Sequence, residues 1–119
     1  MFLVSGLSKF REGDAASMDA EKVLRMATVC GAKAMRLNKA DVLAKGKLAD
    51  IIMLDLQSPN MQPIHNISKN IVYSGSKSNV LMTMINGKIL YHNGSFNIGV
   101  SPDIIYERCG EHLKRMLSE

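Results

Sequence analysis

Apolar positions along this chain follow two different rhythms, and the change between them falls near Leu37. In the first part they recur at helical spacing. Leu3, Leu7 and Phe10 sit at i, i+4 and i+7, which predicts a short helix over Phe2 to Phe10 that Gly13-Asp14 breaks. Asp19 is the expected N-cap of a second helix running to about Met35, with Glu21 in its first turn. Val23, Ala27, Cys30 and Ala34 give that helix a small apolar face suited to close packing. Cys30 on this face is expected to be a core residue, since unpaired cysteine is among the most buried residue types.

Beyond Leu37 short apolar runs alternate with turn residues, the mark of strands. Gly46-Lys47 is a turn. Ala49 to Asp55 reads as a strand whose central run is buried on both faces, ended by Ser58-Pro59-Asn60 and Pro63. Asn66 is expected to cap a helical turn from Ile67 to Tyr73. The sharpest local signal is Asn79 to Ile85, Asn86-Gly87 and Lys88 to Tyr91, a two-residue hairpin, because Asn-Gly tolerates positive φ at both central positions. His92-Asn93-Gly94 ends that strand, and Phe96 and Ile98 open another short extended piece that Gly99 breaks. A last helix is predicted from Pro102-Asp103 to about Leu117, capped by Ser101 or Asp103, with Ile105, Cys109, His112, Leu113 and Met116 along one stripe.

Length bounds what this pattern can build. With 119 residues, 46% of them apolar, there is room for one domain or part of a larger one. A compact chain of this size buries roughly two-thirds of its unfolded surface. Cys30 and Cys109 are too few for a disulfide framework, which favours a reducing, cytoplasmic setting. The apolar start, Met1 to Leu7, has no cationic lead and is cut by Lys9, Arg11 and Glu12, so it is not read as a signal peptide. No apolar run approaches the roughly 20 residues that cross a bilayer, and no membrane partner is expected. The net charge of +4 is spread out, aromatics make up 5%, and tryptophan is absent, which argues against a nucleic-acid partner.

Candidate chemistry is sparse. His65, His92 and His112 have no His, Cys, Asp or Glu at zinc-ligand spacing. Tyr73-Ser74-Gly75-Ser76 lacks the first glycine of a nucleophile elbow, and Gly46-Lys47 lacks the rest of a phosphate loop. Asp50 and Asp55 flank a strand instead of facing a common cleft. The nine methionines are scattered and read as core filler. No catalytic, cofactor-binding or metal-binding residue is assigned within the chain.

Taken together, the motifs resemble one family. Val23-Leu24-Arg25-Met26-Ala27-Thr28-Val29-Cys30-Gly31-Ala32-Lys33-Ala34, followed by Lys45-Gly46-Lys47-Leu48-Ala49-Asp50-Ile51-Ile52-Met53-Leu54-Asp55, is similar to the C-terminal signature of the metal-dependent amidohydrolases. Pro63-Ile64-His65-Asn66, Val72-Tyr73-Ser74, Val80 to Ile85 and Asn86-Gly87-Lys88 narrow the likeness to the cytosine deaminase and chlorohydrolase branch, in particular to methylthioadenosine/S-adenosylhomocysteine deaminases. One departure is Asp41, which stands where the lead-in "Ile-Gly-x-Leu" has glycine.

The resemblance implies an α+β fragment of a longer enzyme. Its parts would be the last helices flanking a (β/α)₈ barrel (residues 1–36), the C-terminal strands of a small composite β-sandwich with the Asn-Gly hairpin (37–100), and a terminal helix (101–119). It further implies a parent hydrolase that acts on C–N or C–Cl bonds of a nucleoside or heterocyclic ring, with a divalent metal, zinc or iron, held by ligands upstream of Met1. On this reading the chain is structural and inactive alone. Its partner is the missing N-terminal portion, with self-association expected through an uncovered strand edge or helix face. The alternative is an independent, self-associating α+β interaction module.

Overall fold

The computed structural model describes residues 1–118. The expected terminal segment 101–119 therefore ends on Glu119, which lies outside the described residues. In chain order the elements are α1 (Phe2–Glu12), α2 (Ala20–Arg25), α3 (Gly31–Ala34), β1 (Ile51–Leu54), α4 (Ile67–Lys69), β2 (Val80–Ile85), β3 (Lys88–His92), β4 (Ser95–Phe96) and α5 (Pro102–Leu117). Helices together with one antiparallel sheet make this an α+β arrangement.

Local chemistry accounts for most boundaries. Gly13 closes α1 at φ 64°, and its N–H donates to the Phe10 carbonyl. The Asp19 carboxylate accepts the Lys22 N–H at 2.8 Å and caps α2. A π-helical turn, Met26–Cys30, joins α2 to α3, so the predicted single helix is continuous but widened. Thr28 Oγ1 donates to the Leu24 carbonyl at 2.8 Å beside this turn, a side-chain bond of the kind that bends helices. Asn66 Oδ1 accepts the Lys69 N–H and caps α4, which widens into a second π turn, Asn70–Ser74.

The sheet order is β1-β2-β3-β4, antiparallel throughout. Ile51 faces Met84, Thr83 faces Tyr91 and Tyr91 faces Phe96. Asn86 (φ 49°) and Gly87 (φ 79°) make the predicted hairpin turn. Asn93 (φ 46°) and Gly94 (φ 85°) make a second one, so the extended piece expected around Phe96 and Ile98 becomes β4, and Ile98 lies outside it.

The Asp41 departure has a physical role. Lys47 Nζ bridges the Asp41 carboxylate at 2.6 Å and the Asn38 carbonyl at 2.7 Å, clamping the connection between α3 and β1.

Burial differs from the expectation. A small core of Ala20, Val23 and Val72 packs with Met18, Leu24 and Tyr73. The accessible surface is 9304 Å², whereas a compact monomer of this mass exposes about 6,400 Å². Folding thus hides about half of the unfolded surface, not the two-thirds expected. The radius of gyration agrees, at 18.3 Å against about 13.5 Å for a compact domain of this length.

Three local expectations fail for the same reason. The β1 run is not buried on both faces, because no described element covers either face there: Ile52 is 63% exposed and Met53, on the opposite face, 49%. Cys30 is exposed, because no described element covers the outer face of its turn. The stripe on α5 forms, but no residue of that helix is buried.

Candidate functional site

The histidines occupy three separate places. His65 lies in the loop before α4, His92 ends β3, and His112 sits on α5 with Nδ1 3.0 Å from an Arg115 guanidinium nitrogen. All three are exposed. Among the described residues no group of three or more His, Cys, Asp or Glu side chains is placed to hold a metal ion. Cys30 and Cys109 are exposed thiols on different helical segments. Asp50 and Asp55 have local duties at the two ends of β1. Asp50 accepts the Asn86 N–H at 2.6 Å, and Asp55 accepts the Ser58 hydroxyl and the Gln57 N–H, bonds that hold its carboxyl below the usual range. The Ser74 carbonyl accepts from Asn60, and Gly46-Lys47 belongs to the Asp41 clamp.

Two polar clusters were not legible in the sequence. In the first, Ser5 is fully buried although it lies on a helix whose apolar residues face outward. Lys9 Nζ donates to the Tyr73 hydroxyl at 2.8 Å, the Tyr73 and Ser5 hydroxyls are 3.0 Å apart, and Ser5 Oγ donates to the Met18 carbonyl at 3.2 Å. The order of donors is consistent from ammonium to carbonyl. The Lys9 hydrogen bond, then that of Ser5, lowers the Tyr73 phenol below its ordinary value. Since Ser5 is closed to solvent, the relay fastens α1 to the segment after α4 and presents no accessible nucleophile.

The second cluster is built on amides. Asn79 is buried, and its Oδ1 accepts from Asn60 Nδ2 at 2.8 Å and from the Ser76 N–H at 2.9 Å. Its Nδ2 donates to Asn60 Oδ1 at 3.2 Å, while Asn70 Nδ2 donates to the Met61 carbonyl at 2.7 Å. This ties the turns before β2 to the end of β1, where the Asp55 N–H donates to the Asn79 carbonyl.

What the chain offers outward is apolar. Phe10 of α1 is 88% exposed and Met116 of α5 is 73% exposed. An open groove on the sheet is lined by Val80, Thr83, Tyr91, Phe96 and Ile98. The free edge of β1 adds backbone groups. The Ala49 carbonyl and Asp55 N–H point toward the β2 side, so alternation leaves those of Ile52 and Leu54 on the open side. These surfaces can bury area and pair a strand, which is the chemistry of association.

Residues 1–90 match the family model described as Amidohydrolase family. The 5-methylthioadenosine/S-adenosylhomocysteine deaminase of Desulfovibrio desulfuricans is 44% identical over 90 residues, which is 76% of this chain and 20% of that protein. The Lawsonia intracellularis protein of the same name is 40% identical over 100 residues, covering 81% of this chain and 23% of its own length. The chain thus spans about a fifth of the length of these curated relatives. Among solved structures, an adenosine deaminase from Xanthomonas campestris with bound zinc superposes with a TM-score of 0.91 at 25% identity, over 98% of this chain and 26% of that one. The atrazine chlorohydrolase TrzN from Arthrobacter aurescens TC1, complexed with zinc, shares the fold with a TM-score of 0.70 at 22% identity, over 79% of this chain and 21% of its own.

Proposed function

The chain belongs to the amidohydrolase family, and from that premise we propose that it serves as the C-terminal structural section of a hydrolytic deaminase of the methylthioadenosine/S-adenosylhomocysteine type, without turnover alone. In this reading residues 1–36 flank the last part of a (β/α)₈ barrel, residues 37–100 complete a small β-sandwich, and residues 101–119 supply the terminal helix. The partner is a barrel-bearing polypeptide that contributes every metal ligand.

One observation carries the proposal. The chain exposes about 2,900 Å² more than a compact monomer of its mass, enough for one partner's side of an obligate interface, whose area is counted over both partners. That excess includes the outward apolar residues of α1, β1 and α5. The likeness to roughly a quarter of a larger deaminase supports the same view. Zinc accompanies the two solved relatives, but His65, His92 and His112 stand apart and do not suit such a centre. No catalytic step is therefore assigned to this chain's own residues.

The test is reconstitution in two pieces. A barrel-bearing segment of the Desulfovibrio desulfuricans deaminase, lacking its matching C-terminal portion, is mixed with this chain and zinc, and ammonia release from methylthioadenosine is followed. Activity that requires both pieces is the expected result, and turnover by this chain and zinc alone overturns the proposal.

A second reading rests on the free edge of β1. There the chain is an independent module whose copies pair through Ile52 and Leu54. Sedimentation distinguishes the two, since a concentration-dependent dimer that ignores the barrel segment favours the module.

A further inference from the structure

The fold contains two Asn-Gly turns of nearly identical backbone shape, at Asn86-Gly87 and Asn93-Gly94. Both asparagines are exposed. We propose that Asn93 is a site of spontaneous conversion to aspartate and isoaspartate, and that Asn86, with the same sequence motif, is protected from it by Ala49 and Asp50, which lead into β1.

The chemistry needs only water. The Gly94 backbone nitrogen attacks Cγ of Asn93, a C–N bond forms, the nitrogen's proton passes to solvent, and the side-chain amide leaves as ammonia. Water then opens the resulting succinimide at either carbonyl, giving aspartate or isoaspartate. The attacking nitrogen must be free to leave the plane of its own hydrogen bonding, and the turn must flex toward the side chain.

The two turns differ in those respects. The Gly87 N–H donates to the Ala49 carbonyl at 3.0 Å, and the Asn86 N–H donates to the Asp50 carboxylate at 2.6 Å, so the two residues that lead into β1 grip the first turn at both positions. At the second turn the Asn93 N–H donates to the Leu81 carbonyl at 2.9 Å, while the Gly94 N–H finds no protein acceptor among the described residues. The flanking strands differ as well. The first turn joins strands of six and five residues, whereas the second leads into the two-residue β4 at the sheet edge, which pairs with Tyr91 and His92 and is followed by one more bond, from the Asn97 N–H to the Leu90 carbonyl.

The consequence is local and specific. Isoaspartate at position 93 adds a backbone methylene to a two-residue turn, which breaks the pairing of His92 with Ser95. Phe96 then loses its place against Tyr91, where the ring centroids are 5.1 Å apart, and the apolar groove on that face opens.

The experiment is peptide mapping by mass spectrometry after timed incubation of the folded protein in mildly alkaline buffer, with enzymatic methylation to mark isoaspartate. Asn93 is expected to convert at least about fivefold faster than Asn86, the factor that one ordinary net hydrogen bond is worth. In denaturant the two sites should convert at similar rates. Asn93→Ser should remove the isoaspartate signal, and Asp50→Ala, which loosens the first turn, should raise conversion at Asn86. Equal or faster conversion at Asn86 in the folded protein overturns the proposal, as does an unchanged Asn93 under conditions where the denatured chain converts.

Discussion

The Tyr73 hydroxyl lies 3.0 Å from the fully buried Ser5 hydroxyl, joining two residues 68 positions apart in sequence. Lys9 completes the contact from the same helix as Ser5. Tyr73→Phe removes one partner from each side, so it should destabilise the chain by about 1–2 kcal/mol in urea unfolding followed by circular dichroism. Ser5→Ala should cost a similar amount, and the double variant less than the sum, since the two residues share one bond.

The same contact predicts an ultraviolet titration. Lys9, then Ser5, holds the Tyr73 phenol below its ordinary value near 10. Its folded value is depressed, so the stability it contributes is fully present above the unfolded value and is lost as pH falls through the folded one. The Tyr73 phenol should therefore begin to ionise below its ordinary value in difference absorbance, a phase that Tyr73→Phe removes. Lys9→Met should raise it toward the ordinary value while the Ser5 bond remains, and an absorbance profile that Lys9→Met leaves unchanged would contradict the geometry.

Asn79 anchors the amide cluster from a buried position. Asn79→Ala strips the acceptor from Asn60 and from the Ser76 N–H, and should cost about 2–3 kcal/mol. Asn60→Ala leaves the buried Asn79 Oδ1 its bonds from the Ser76 N–H at 2.9 Å and the Ser76 hydroxyl at 3.1 Å, so it should cost less. Denaturant midpoints of the two variants test the ranking.

The Asp41–Lys47 clamp predicts a response to acid. The Lys47 hydrogen bond holds the Asp41 carboxyl below its ordinary 3.8. A depressed acid contributes stability above that value and loses it as pH falls through the folded one. Hydrogen exchange at Leu48, whose N–H donates to the Lys39 carbonyl at 2.7 Å, should accelerate in that acid window. In Lys47→Met it should already be fast at neutral pH.

Outward apolar residues should behave as interface, not core. Phe10→Ser or Met116→Ser should change the stability of the isolated chain by no more than about 0.5 kcal/mol. Both should weaken reconstitution with the barrel-bearing segment by a larger factor. A substitution that unfolds the chain but leaves reconstitution intact would reverse that assignment.

Element types were legible because they depend on neighbours in sequence. Asp19 and Asn66 announced their caps, Gly13 its stop, and Asn86-Gly87 its turn, each through a bond or backbone angle within a few residues. Burial was not, because it depends on what stands opposite. Ile52 and Cys30 are core-type residues, yet among the described residues nothing covers them. The Ser5–Tyr73 bond had no signal at all, since a serine on an apolar helix and a tyrosine before a Ser-Gly turn carry no mark of each other. The motif likeness reached the family because it compares whole patterns, and it assigned no site residue to this chain.

The rim of β1 also has a bearing on how the chain keeps in solution. Four consecutive apolar residues, of which Ile52 and Leu54 leave their ladder groups on the open side, form a template on which strands of other copies can pair. Asp50 and Asp55 bracket that template as gatekeepers. Because Ser58 and Gln57 keep Asp55 ionised further into acid than an ordinary carboxylate, electrostatic repulsion between stacked copies outlasts mild acidification on that flank.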